Sequence, residues 1–170
     1  MWSAPDCPLG ARGLPPVFGE GPSDARVFLV GEAPGREESR TGRPFVGPAG
    51  QFLARALADV GLLRTEVFLT SVEKYQPPKN RAPRRAEIEA CKPLLIAQLE
   101  QIDPEIVVLL GRVAERALLD EPILAGRRVL ITVHPAAARR FPEVGQRFKR
   151  DLERLREWLR SPRADSDLGR

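Results

Sequence analysis

Four short apolar runs, each closing on a polar segment that resists regular continuation, set the strongest limit on what this chain can become. Residues 27–30 (VFLV), 67–72 (VFLTSV), 106–110 (IVVLL) and 129–133 (VLITV) are rich in β-branched and aromatic side chains. They are too short for helices and have the composition of buried strands. Between and after them, apolar residues recur at helical spacing. Residues 49–60 align Phe52, Leu53, Ala56, Leu57 and Val60, with Gly61 as the stop. Residues 84–101 carry Ile88, Cys91, Leu94, Leu95 and Leu99 on or near one face, continued by Ile102. Residues 112–119 predict a short helix, and residues 144–160 align Phe148, Leu152, Leu155 and Leu159. Strands alternating with helices predict an α/β fold: a three-layer α/β/α arrangement around a central, mainly parallel four-stranded sheet. The 170 residues are enough for one such domain. It is expected over residues 24–160, with an irregular strap at 1–23 and a polar tail at 161–170.

In a parallel sheet the segments that follow the strands share one edge, where open α/β sheets place their ligands. Here those segments are GEAPG, SVEKYQPPKN, GRVAE and HPAAARR, so Glu32, Ser71, Asn80 and His134 are expected to converge. In the first segment Gly31, Pro34 and Gly35 forbid a smooth continuation of the strand. Glu32, Glu37 and Glu38 then stand beside Arg36, Arg40 and Arg43, a mixture suited to a polar, neutral-to-anionic ligand. GxGxxG and GxxxxGK[ST] are both absent, which leaves a dinucleotide or P-loop reading little support. Taken singly, these residues also have plain structural uses. His134, the sole histidine, suits a cap at the strand end, Phe45 suits a core, and Asn80 suits a turn.

The net charge of +4 permits nucleic acid as a partner without demanding it. The positive charge is mostly arginine, clustered at residues 81–85, 127–128, 139–140 and 147–160. Arginine pairs bidentately with phosphate oxygens, although an arginine-rich source would produce the same bias. No stretch is long and apolar enough for a membrane span, and the start MWSAPDCPLG lacks the layout of a signal peptide. Two distant cysteines make no disulfide framework, so a reducing cytoplasm and a monomer are expected.

GEAPGREESRTGRPFVGPAGQFL, then PPKNRAP, then a late HPA, in this order, resembles family 4 of the uracil-DNA glycosylase superfamily. The resemblance runs from about Phe18 to the last helix. It implies excision of a damaged base, chiefly uracil, from DNA by cleavage of its N-glycosidic bond after the nucleotide leaves the stack. It implies roles for individual residues as well. Glu32 matches an acidic residue on the water side, and Asn80 the asparagine of the PPxN loop, which contributes to catalysis. His134 matches the histidine that donates to the leaving base, and Phe45 the aromatic ring on which the base stacks. Gly31 and Ala33 would shape the backbone beside the base, with Gly35 and Glu38 in support. Arg139 and Arg140 would contact phosphate.

Three departures stand out from the same resemblance. The family pattern holds an iron–sulfur cluster on four cysteines, and the matching positions here are Ala4, Cys7, Tyr75 and Cys91. Two thiols cannot supply four thiolates, so no cluster and no required metal or cofactor are expected; a metal held by the two thiols would need further ligands. Cys7 and Cys91 should lie together as its remnant, with Tyr75 and other apolar groups filling the space. Ser71 stands where the family commonly has an asparagine that reads the pyrimidine edge. Ala136, Ala137 and Ala138 stand where a large apolar wedge would follow the histidine, leaving Arg139, Arg140 or Phe141 to substitute. No lysine stands out as a Schiff-base nucleophile. The leading expectation is therefore a monofunctional DNA glycosylase in base-excision repair, with uracil as its first substrate. Two others stay open: a glycosylase for hypoxanthine or xanthine, and a relative that binds DNA or a damaged base with little or no turnover.

Overall fold

The computed structural model describes residues 2, 3 and 5–161. Ala4 and residues 162–170, the tail beyond Ser161, lie outside the described residues. Among the described residues, four strands form the sheet: β1 (Val27–Gly31), β2 (Phe68–Ser71), β3 (Ile106–Leu110) and β4 (Arg128–Thr132). Their order is β2-β1-β3-β4 and every neighbouring pair is parallel, so the sheet itself is wholly rather than mainly parallel. A single antiparallel bridge, Glu20 to Leu69, adds the strap to its edge. β1, β2 and β3 are buried throughout, which is why they read as unbroken apolar runs. Edge strand β4 is buried at alternate positions.

Among the described residues, six α-helices surround the sheet: α1 (Arg36–Thr41), α2 (Pro48–Asp59), α3 (Arg85–Ile102), α4 (Arg112–Leu118), α5 (Pro135–Arg140) and α6 (Pro142–Arg160). Successive strand residues point to opposite layers. Val27 and Leu29 pack with Leu53 and Leu57 of α2 and with Phe148, Leu152 and Leu155 of α6. Phe28 and Val30 pack with Leu95 and Leu99 of α3 and with Ala114 and Leu118 of α4. The strap lies across this second layer. Trp2 meets Phe68 edge-on, with ring centroids 5.6 Å apart, and the Val17 N–H donates to the Lys74 carbonyl at 2.7 Å.

Two helices have no counterpart in the apolar periodicity. α1 buries only Ser39, and its two ends rather than a core face define it. Glu38 Oε2 accepts from the Gly35 N–H at 3.1 Å, and Gly42 closes the helix with φ +70°. α5 starts with Pro135 after the N-cap His134 and continues through three alanines, a good helix-forming run.

Candidate active site

The ends of β1, β2 and β4 open onto a cleft of about 540 Å³, within the roughly 300–1,000 Å³ range of small-molecule sites. Glu32, Ala33, Gly35, Glu38, Phe45, Ser71, Asn80 and His134 all line it, with Ala136 and Ala137 at one side. The parallel sheet thus brings together side chains more than a hundred residues apart in the chain, Glu32 and His134 among them. Three predicted residues fall elsewhere. Gly31 lies beneath the Phe45 ring: a Cβ there would come within 2.4 Å of Phe45 Cζ, so only glycine permits that approach. Arg139 and Arg140 are exposed on α5 outside the lining, and the Arg140 guanidinium sits 5.3 Å from the Phe141 ring centroid. Phe141 is itself 45 % exposed and away from the cleft.

Glu32 is half-buried just beyond β1, and its carbonyl accepts from the Glu73 N–H at 3.1 Å. Burial alone raises its carboxyl above the ordinary 4.5; none of the described residues donates a hydrogen bond to it. Glu38 is the opposite case. Its Oε1 accepts from the Val46 and Gly47 N–H groups at 2.8 and 2.7 Å, tying α1 to the chain that carries Phe45. Phe45 has φ +52°, a left-handed conformation unfavourable for a bulky residue. Arg64 compensates by donating to the Phe45 carbonyl at 2.7 Å and to the Pro44 carbonyl. Arg64 is paired in turn with Glu20 at 2.6 Å.

His134 caps α5: its Nδ1 accepts from the Ala136 N–H at 3.2 Å. The accepting nitrogen carries no proton, so the neutral ring holds its proton on Nε2. Burial lowers the His134 pKa from the ordinary 6.5 and favours this neutral form. The His134 and Phe45 ring centroids are 6.4 Å apart. Asn80 ends the 3₁₀ turn Pro78–Asn80 in the left-handed region, φ +53°, following Lys79 at +55°. Its Oδ1 accepts from Gln76 Nε2 at 2.8 Å, leaving the exposed amide N–H₂ as donor.

Residues 18–160 match the model of the uracil DNA glycosylase superfamily. The chain belongs to the uracil-DNA glycosylase superfamily. It is 40% identical over 168 residues to the type-4 uracil-DNA glycosylase of Pyrobaculum aerophilum, a match covering 86% of this chain and 84% of that one. The type-4 enzyme of Thermotoga maritima is 37% identical over 169 residues, covering 91% and 88%. The solution NMR structure of a Methanosarcina acetivorans protein assigned to the uracil DNA glycosylases shares the fold, with a TM-score of 0.55 at 15% identity. That match covers 84% of this chain and 96% of the other.

The donors present do not fit the four-thiolate cluster of the family pattern, because the whole chain has two cysteines. Cys7 and Cys91 are buried and share a small cluster with Leu9 and Tyr75. The expected apolar filling is corrected here in one respect. Buried Glu73 sits among them, with Oε1 3.1 Å from Cys91 Sγ and 3.4 Å from Cys7 Sγ. The sequence reading passed over Glu73, and also Lys74, which is fully buried. Lys74 Nζ donates to Thr70 Oγ1 at 2.6 Å, the Ser71 carbonyl at 2.7 Å and Gln98 Oε1 at 2.9 Å. Three acceptors match the three protons of an ammonium, while burial pulls its pKa down to about 7. The available signal was two adjacent charges directly after a buried strand. Arg64 and Glu20 left no local signal, since their pairing spans 44 residues.

Proposed function

We propose that this chain is a monofunctional DNA glycosylase that hydrolyses the N-glycosidic bond of uracil in DNA, with the cleft as its active site. The observation that carries the reading is the meeting, in one cleft, of unpartnered Glu32, the free amide of Asn80 and a histidine whose proton is held on Nε2. A flipped uracil would stack on Phe45, with its edge toward Ser71 and the backbone of Gly31 and Ala33. The C1′–N bond breaks with its electron pair passing to the base, which leaves as an anion. His134 Nε2–H donates to the base oxygen where that charge collects. Ionised Glu32 faces the positive sugar, and with Asn80 it orients the water whose oxygen bonds to C1′; the proton that water gives up passes to the Glu32 carboxylate and finally balances the departed base anion. Gly35 and Glu38 hold the loop in shape, and Arg139 and Arg140 take phosphate outside the cleft.

The test is single-turnover base release from matched oligonucleotides carrying uracil, hypoxanthine or xanthine, each single- and double-stranded. Uracil release that His134→Ala and Asn80→Ala both suppress is the expected result. Release of a purine base alone would move the specificity, a reading that the short Ser71 hydroxyl favours. Binding without release would leave a non-catalytic relative.

The two ionisation states also predict a pH profile. Burial raises Glu32 above 4.5 and lowers His134 below 6.5, so both required forms, carboxylate and neutral imidazole, fail only on the acid side. Expected is kcat/KM that falls with acid along a limb lying above the ordinary carboxylate range, since burial raises Glu32. A limb that persists above 6.5 in the residual activity of Glu32→Gln would contradict the neutral histidine.

A further inference from the structure

Cys7 from the strap, Cys91 from α3 and Glu73 from the loop after β2 are all buried, with their donor atoms within 4.8 Å of one another. Glu73 Oε1 is surrounded by four donors. The Cys91 and Cys7 thiols stand at 3.1 and 3.4 Å, and the Lys74 and Tyr75 N–H groups both at 3.0 Å. The Cys7 thiol is also 3.6 Å from Oε2. Tyr75 closes the outer side, its hydroxyl donating to the Pro5 carbonyl at 3.2 Å. Each of these donors therefore has an acceptor; burial raises the Glu73 pKa, and the hydrogen bonds from both thiols and both N–H groups offset part of that rise.

We infer that Glu73 is a protein-made substitute for the metal cluster: its carboxylate pins the strap, α3 and the active-site loop together, and the protein works without a metal. The site is one donor short of the four a closed structural zinc site needs, and Oε1 is already saturated. Both thiols are held above their ordinary range, by burial first and by the charge of Glu73 second for Cys91.

The hub reaches the catalytic residues by short routes. The Glu73 N–H donates to the Glu32 carbonyl at 3.1 Å. Three residues further on, Gln76 donates to Asn80 Oδ1 at 2.8 Å. Arg12, just after the Cys7 turn, holds the Gln76 carbonyl at 3.3 Å. Glu73 is thus a positioning residue for both Glu32 and Asn80; the positioning part of the inference rests on the glycosylase reading.

The first measurement is iron, zinc and acid-labile sulfide on the full chain purified anaerobically without chelator. Far less than one metal per chain is expected, with Tm and uracil release indifferent to added EDTA. Stoichiometric iron or zinc that disappears in Cys7→Ser overturns the inference. The second measurement uses variants. Cys7→Ser and Cys91→Ser keep a hydroxyl donor and should retain the parental Tm and kcat; loss of both quantities would show a thiol-specific role and overturn the inference. Glu73→Ala should lower Tm by about 5 °C or more and kcat by about tenfold or more with KM retained. Glu73→Gln, which still offers a carbonyl to the backbone donors, should recover part of each. Equal Tm and kcat in Glu73→Ala and the parent would overturn the hub. Metal content and Tm are read whether or not the parent releases uracil, so a failure of the glycosylase reading shows separately, as a parent without base release.

Discussion

His134→Ala is expected to lower single-turnover uracil release by about 100- to 1,000-fold, the usual cost of removing one donor from a site that stabilises developing negative charge. The first N–H groups of α5 need acceptors, and His134 Nδ1 supplies one, to Ala136. That bond leaves the single proton of the neutral ring on Nε2, so a structural cap also fixes the chemical tautomer. Protonation would put a second N–H against the Ala136 N–H and turn the ring, and burial opposes it as well. The two duties separate by substitution. Alanine removes both the cap and the donor, and the lost cap costs about 1 kcal/mol of stability. His134→Asn keeps a good capping oxygen, but its amide ends short of where Nε2 stands. Stability near the parent with release still depressed is the expected result for asparagine. Release within a few-fold of the parent in both variants would make His134 a cap alone.

The fold was legible in the sequence where burial is two-sided and hidden where an element rests on its ends. β1, β2 and β3 are fully buried, so their apolar runs stand out and their bounds came within a residue or two. α2, α3 and α6 carry apolar faces and stood out for the same reason. α1 has none: REESRT reads as solvated loop until Glu38 is seen reaching back to Gly35. α5 buries only Pro135 and Ala138, and its histidine, proline and alanines look like strand-end punctuation.

The location of the cleft was legible because a parallel sheet gathers the segments after its strands, whatever their separation in the chain. Its support was not. Arg64 steadies the strained Phe45 backbone from a turn two elements away, and nothing local marks that arginine among the many others. Glu73 is the clearest case. In SVEKYQPPKN a glutamate beside a lysine reads as a surface pair, yet both are fully buried and face different networks. A buried charge becomes readable only when its partners, here a cysteine from the strap and another from α3, are known to be near in space.

Asn80→Ala carries the second large expectation: a loss of uracil release of about 100- to 1,000-fold with little change in stability. The side chain is exposed, so no core packing is lost. The backbone requirement is met differently by different residues. At φ +53° asparagine and aspartate are the best tolerated non-glycine residues, and alanine is strained there by a modest amount. Asn80→Asp is therefore the sharper variant. It keeps the left-handed turn and an oxygen for Gln76 Nε2, which now meets Oδ1 at 2.8 Å, and it exchanges the free N–H₂ for a second acceptor. If the amide donor is what orients the water, aspartate fails about as badly as alanine although the loop keeps its shape. A second carboxylate near Glu32 would also raise the cost of ionising that residue, so the acid limb of the pH profile should move upward in the aspartate variant. Full activity in Asn80→Asp, with the limb unmoved, would leave Asn80 a turn residue and pass the positioning of water to Glu32 alone.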